Sequence, residues 1–190
     1  MIKNYKQYIV EQVDHDSPVL RLAKKQGKSY DQITILHCSS NQLTSLEGIE
    51  NLVNLQVLYC SYNQLTNLKG IENLANLQIL FCYNNQLTSL EGVENLVNLQ
   101  ELYCYNNQLN SLKGIEKLAN LQQLYCFNNQ LTSLEFGDFS IEAFEIGIDE
   151  TDLRRFKKLN FLGCAKNKFS ERYKKYLENY CERKRVDLLI

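Results

Sequence analysis

A 22-residue period runs through the middle of this 190-residue chain and leaves few folds open to it. Written in rows of 22, the sequence aligns without a gap from Ile33 to Asn120, with rows beginning at Ile33, Leu55, Leu77, Leu99 and Leu121. The shared frame is L-x-x-L-x-C-x-x-N-x-L-x-x-L-x-G-I-x-x-L-x-N. In the row from Leu77 to Asn98, residues 78–83 alternate. Leu80 and Cys82 then face one side of a strand, and Ile79, Phe81 and Tyr83 the other. Asn85 marks a turn. Leu87, Leu90, Val93 and Leu96 recur every three residues, the spacing of a tight 3₁₀-like return. One row is therefore one coil of strand, turn and return. A single coil cannot bury its leucines, but stacked coils can, and they share their stability with their neighbours. The strands of successive coils are expected to pair in parallel, roughly 4.8 Å apart.

This frame resembles the leucine-rich repeat. Its length resembles the subclass found in internalins and in a regulatory subunit of protein phosphatase, here with Cys in the third Leu position. The resemblance implies an α/β solenoid: a curved parallel sheet with one short strand per coil, a 3₁₀ or irregular convex side, and helical caps. It also implies a protein or peptide partner. Such a match is specific for fold and says little about chemistry.

The chain reads as a single domain over residues 1–190, with an N-terminal helical cap over 1–32, repeats over 33–169 and a C-terminal helical cap over 170–190. Tyr5, Tyr8, Ile9, Gln12 and Val13 share a helical face, and Ser17-Pro18 is an N-cap followed by a first-turn proline. The frame breaks after Leu134, yet Ile141-x-x-Phe144-x-Ile146-x-x-Asp149 and Leu159-x-x-Leu162-x-Cys164-x-x-Asn167 follow the strand pattern again. About seven coils are expected, irregular over 135–158; a plain insertion between Ser133 and Lys158 is the other reading. Ser170 caps a helix running to about Arg185, with Tyr173, Leu177, Tyr180 and Cys181 on one face.

Several columns read as structural. Asn41, Asn63, Asn85, Asn107, Asn129 and Asn167 are expected to form a buried ladder serving turn backbone groups. Cys38, Cys60, Cys82, Cys104, Cys126 and Cys164 read as small core filler. There is no C-x-x-C pair to close a zinc site, and no metal or other cofactor is expected. A core row of free thiols fits a cytoplasmic, reducing location, with export as an effector the second reading. Glu47, Lys69, Glu91 and Lys113 alternate in sign, so that neighbouring coils attract. Glu50, Glu72, Glu94 and Glu116 read as a solvated face, or else as a docking stripe for a basic partner.

The outward strand positions are where function is expected. One column reads His37, Tyr59, Phe81, Tyr103 and Tyr125, and the next Ser39, Ser61, Tyr83, Tyr105 and Phe127; Tyr62 and Glu101 join them. The core is already filled by Leu and Cys, so these side chains face the concave surface. Exposed aromatic patches mark interaction sites, and tyrosine offers rigid area with a polar handle. The structural alternative is that the rings only stabilise the sheet across strands. The binding residues are therefore read as His37, Tyr59, Tyr62, Phe81, Tyr83, Glu101, Tyr103, Tyr105, Tyr125 and Phe127. A protein or peptide is the expected partner. A glycan stacking on the rings, or a structural or host-directed role in a larger assembly, are the alternatives. Nucleic acid is not expected: the net charge is −1, and this face offers no basic groove in the first five coils. No apolar run approaches the ~20 residues of a membrane span, and a monomer is expected. An enzyme is not: His15 and His37 are the only histidines, no nucleophile has a visible base, and Glu101 lacks an acidic partner in its strand.

Overall fold

The computed structural model describes residues 17–132, 134 and 158–190. Among these residues seven three-residue strands form one sheet: β1 (Ile35–His37), β2 (Val57–Tyr59), β3 (Ile79–Phe81), β4 (Glu101–Tyr103), β5 (Gln123–Tyr125), β6 (Phe161–Gly163) and β7 (Asp187–Leu189). Every neighbouring pair is parallel and the spatial order is the chain order. From β1 to β5 the register pairs each residue with the one a repeat later, Leu36 with Leu58 and Tyr103 with Tyr125. The returns carry 3₁₀ turns at Ile49–Asn51, Ile71–Asn73, Val93–Asn95 and Ile115–Lys117. The expected solenoid, with a curved parallel sheet and a 3₁₀ return side, is the architecture of the chain.

The core is the leucine and cysteine frame. Leu36, Leu58, Leu80, Leu102 and Leu124 are buried along the strands, and Leu46, Leu68, Leu90 and Leu112 along the returns. The cysteines are free and buried, and among the described residues no cluster of His, Cys, Asp or Glu is placed to hold a metal. Desolvation pushes the Cys38, Cys104 and Cys164 thiols up to about 12 and raises those of Cys60, Cys82 and Cys126 well above their usual range.

The asparagine column is the ladder expected of it. Asn107 Nδ2 donates to the carbonyls of Cys104 (3.0 Å), of Cys82 in the preceding coil (3.1 Å) and of Tyr105 (3.3 Å), while its Oδ1 accepts from Leu87 N (2.9 Å). Asn63, Asn85, Asn129 and Asn167 repeat the pattern. Asn41, in the first coil, is exposed and its amide donates only to Ser39 O. The last asparagine of the frame builds a second, exposed ladder: Asn76, Asn98 and Asn120 each donate to a carbonyl of the preceding coil, those of Val53, Ala75 and Val97.

The glutamate column is exposed at Glu50 and half-buried at Glu72, Glu94 and Glu116, and it has a structural role besides. Glu50, Glu72, Glu94 and Glu116 each accept, through Oε2, the backbone N–H of the glycine two residues earlier, at 3.0, 2.7, 2.8 and 2.6 Å. That glycine is required. At Gly70 φ is +102° and a Cβ would stand 2.8 Å from Ile49 Cγ2, so the turn exposes an amide that the carboxylate fills. Glu72→Ala is expected to lower stability by about 1 kcal/mol, and Glu72→Gln, which keeps an acceptor, by less than half of that. Urea titration of the two variants checks this, and equal losses would refute it. The alternating Glu47, Lys69, Glu91 and Lys113 column forms no ion pair among the described residues.

At the N-terminal end, α1 (Pro18–Lys24) is capped by Ser17, which accepts from Leu20 N, with Pro18 in the first turn. Its Val19, Leu20 and Ala23 cover the open edge of the first coil. The helical face expected over Tyr5–Val13 lies outside the described residues. At the other end, α2 (Glu171–Lys184) is capped by Ser170 and buries Tyr173, Leu177 and Cys181. The chain does not stop as a helix. Arg185 turns it in the left-handed region (φ 56°) and β7 adds a last strand to the sheet.

The coil expected from Ile141 also lies outside the described residues. β5 pairs directly with β6, Leu124 opposite Leu162, so the coil of Leu159 stacks on that of Leu121 with no strand between them in the sheet. Asn167 makes the junction, donating to Cys126 O and accepting from Leu131 N. No helix among the described residues is long and apolar enough to cross a membrane.

Candidate functional site

The parallel register puts equivalent side chains one strand spacing apart, and on the outward face those side chains are rings. His37, Tyr59, Phe81, Tyr103 and Tyr125 form a continuous stack, with centroids 4.4, 4.6, 4.4 and 4.5 Å apart and planes within 19° of parallel. Phe161 adds a sixth ring, 4.4 Å from Tyr125. Its backbone pairs with Gln123, not Tyr125. Its ring completes the stack because Gly163, opposite Tyr125, has no side chain; a Cβ there would lie 3.1 Å from Phe161 Cε1. Sequence reasoning missed Phe161, and the lone glycine in the tyrosine column was its signal.

A second stack lies beside the first. Tyr83, Tyr105 and Phe127 are 4.4 and 4.3 Å apart and nearly parallel. It stops at Tyr83, because the same position carries Ser61 in the second coil and Ser39 in the first. There Tyr62 stands perpendicular to Tyr83, centroids 5.3 Å apart. Tyr62 has φ +55°, in a left-handed column that carries Ser40 in the first coil, Asn84, Asn106 and Asn128 in the next coils, and Lys166 beside Asn167. Those asparagines are linked by side-chain hydrogen bonds, Asn106 to Asn84 at 2.7 Å and Asn128 to Asn106 at 2.8 Å. An L-residue other than asparagine is disfavoured in this conformation, yet Tyr62 is 57 % exposed.

Along the outer flank the chemistry changes from one end to the other. Ile35, Val57 and Ile79 give way to Glu101 and Gln123. The Tyr103 hydroxyl donates to Glu101 Oε2 at 2.8 Å and lies 3.3 Å from Gln123 Oε1, which also accepts from the Tyr125 hydroxyl. Burial in the stack, then the Glu101 carboxylate, hold the Tyr103 phenol protonated well beyond its usual range. Burial, then its neighbours Tyr83 and Tyr62, push Tyr105 up to about 12.

All ten predicted residues lie on this one face, and the stacking is as real as the exposure. Each stacked pair contributes about 0.5–1.5 kcal/mol beyond area burial, so the rings stabilise the sheet whatever else they do. Stacking also decides what a visitor meets. The two faces of an interior ring are covered by its neighbours, leaving ring edges and hydroxyls to solvent. His37 and Tyr62, at the ends, are exposed. No lysine or arginine joins the two stacks between the first and fifth coils. His37 stacks on Tyr59 rather than meeting a nucleophile, and His15 is outside the described residues.

The chain matches the family described as "Leucine Rich repeats (2 copies)" over residues 31–73, 53–95 and 97–137. Among solved structures it is similar to internalin C2 from Listeria monocytogenes, at 26% identity over 85% of this chain and 79% of that one, with a TM-score of 0.56. No curated protein matches the chain by sequence.

Proposed function

The chain belongs to the leucine-rich-repeat family, and we propose that this protein–protein interaction module takes an extended peptide segment of its partner across the two ring stacks. The observation that carries the reading is the stacking itself. A sugar or a nucleobase binds an aromatic by lying on its face, and here the interior faces are occupied. Ring edges suit a peptide, whose aliphatic side chains pack on them, and a phenol not already given to Glu101 or Gln123, such as that of Tyr59, can donate to its backbone. The absence of cations from the stacks argues the same way against single-stranded nucleic acid, which needs a basic channel. The apolar flank at Val57 and Ile79 and the polar flank at Glu101 and Gln123 would fix the direction of the segment. The internalin C2 likeness adds a bacterial relative of the same fold. The seven buried free thiols favour a reducing compartment as the place of action.

The test keeps every ring of the stacks and gives up only the Gln123 acceptor. In Val57→Lys/Gln123→Lys, two half-buried flank positions on β2 and β5 gain charges while every ring remains. Val97→Lys, on an exposed return position, is the control. With each protein as bait in an extract of its native source, the flank variant is expected to lose at least tenfold of its captured partner and the control none, read by mass spectrometry. Equal recovery by all three would sink the reading.

A further inference from the structure

We propose that the place where the second stack stops is a slot for one tyrosine side chain of the protein partner, which enters as the next rung beside Tyr83 and brings its hydroxyl to Ser61. This rests on the peptide-binding reading of the concave face. One face of Tyr83 is taken by Tyr105 at 4.4 Å, and among the described residues no second ring stacks on Tyr83, Tyr62 meeting it only at right angles. The next two positions of the column are Ser39 and Ser61, so two rungs are missing while the first stack runs on through Tyr59 and His37. A further ring at the 4.3–4.6 Å spacing of the existing rungs would bury the free face of Tyr83, gaining what the other stacked pairs gain.

Ser61 supplies the second observation. It is on the outward side of the strand yet only 1 % exposed, and its Oγ is buried without a hydrogen-bond partner among the described residues. A buried hydroxyl left unsatisfied costs free energy that a ligand can recover. A side chain from a partner enters tip first, so the floor of the slot meets the tip of the ring, and a phenol hydroxyl satisfies Ser61 where phenylalanine cannot. Tyr62 holds the entrance. Its ring makes one edge contact with Tyr83, it is largely exposed, and its backbone is in the left-handed region, where the next three coils place asparagine. Rotating it outward exchanges one edge contact for a stacked face. Tyr62 is then a removable cover, and afterwards a wall of the occupied slot.

The experiment needs no knowledge of the partner. The ¹⁵N-labelled chain is titrated with N-acetyltyrosinamide and, separately, with N-acetylphenylalaninamide, while amide shifts are followed. Saturable shifts are expected at Ser39, Ser61, Tyr62 and Tyr83, with the tyrosine probe binding about fivefold more tightly, the worth of one ordinary hydrogen bond. Ser61→Tyr fills the slot with the chain's own ring, as Tyr83 does one coil on, and is expected to abolish those shifts. Ser61→Ala leaves the slot open and should reduce the tyrosine probe to the affinity of the phenylalanine probe. Absent shifts, shifts that persist in Ser61→Tyr, or equal affinity of the two probes for the unmodified chain would each overturn the proposal. Its failure is distinguishable from failure of the broader reading. If the flank variant loses the partner but Ser61→Tyr captures it in full, the face binds and the slot does not.

Discussion

Asn107→Ala is expected to cost the fold about 4 kcal/mol, a large part of the 5–15 kcal/mol by which domains are usually stable. The loss is not that of one hydrogen bond. The amide group ties the Cys104 and Cys82 carbonyls to the Leu87 N–H across two coils. Alanine leaves the Leu87 N–H without its partner in an interior closed to water, at roughly 1–3 kcal/mol, and takes one of two amide donors from each carbonyl, since Cys82 O keeps Asn85 and Cys104 O keeps Asn129, at roughly 0.5–1.5 kcal/mol each. Asn41→Ala is the built-in comparison. Asn41 is the same residue in the same column, but it is exposed and its amide serves only Ser39 O, so its removal should cost about 0.5 kcal/mol or less. Urea unfolding of the pair, followed by circular dichroism, gives the two values. Comparable losses would mean that the column acts through turn propensity rather than through the ladder.

The second large effect is on pH. The buried thiols hold their protons far above 9.0, the ordinary cysteine value, with Cys38, Cys104 and Cys164 at about 12 and Cys60, Cys82 and Cys126 also raised. Below pH 9 folded and unfolded chains are both protonated and the thiols impose no pH dependence. Above it the unfolded chain releases protons that the folded chain keeps, so stability falls as pH rises. The slope is up to about 1.4 kcal/mol per pH unit for each thiol, and it persists until the folded value is passed. Six ladder thiols acting together predict cooperative unfolding between pH 9 and 11. Tyr103 and Tyr105, with raised phenol values, add in the same direction higher in the range. Replacing Cys82 and Cys104 by alanine should flatten the slope even as it lowers stability at pH 7. A thiol reagent at pH 8 should find these cysteines only after denaturation. Stability that holds level from pH 8 to pH 11 would refute the account.

The sequence is legible here where one repeat explains itself. Leu80, Cys82 and Asn85 have the same neighbours as Leu102, Cys104 and Asn107, so the period alone placed the strands, the core and the buried ladder. The misreadings have a common physical source, which is geometry inside the turn. A glutamate two residues after a glycine reads only as surface charge, and its second role shows when the glycine, at positive φ, presents its N–H to that carboxylate. Likewise β7 follows a well-marked helix, and nothing in Asp187-Leu188-Leu189 fixes its pairing with β6 except the helix that returns it there. Phe161 belongs to the aromatic stack through the space left by Gly163, a relation between two residues of one strand rather than a column of the frame. Nine of the ten predicted face residues were found by alternation, and Tyr62 by its place at the strand end. That their faces would be covered by one another follows from register, which alternation does not supply.

The equal registers of β1 to β5 have a consequence for how such a chain changes by inheritance. Deleting residues 77–98 would join Asn76 to Leu99, a junction of the same composition as the one removed, with carbonyl, amide and ring acceptors still in step. Duplicating them would do the same. A slip of the replication machinery by one whole unit therefore yields another foldable protein with one rung fewer or more, whereas a slip by any other length throws every ladder out of phase at once. The number of rungs offered to a partner is the coarse variable open to variation, and the residue at each rung the fine one.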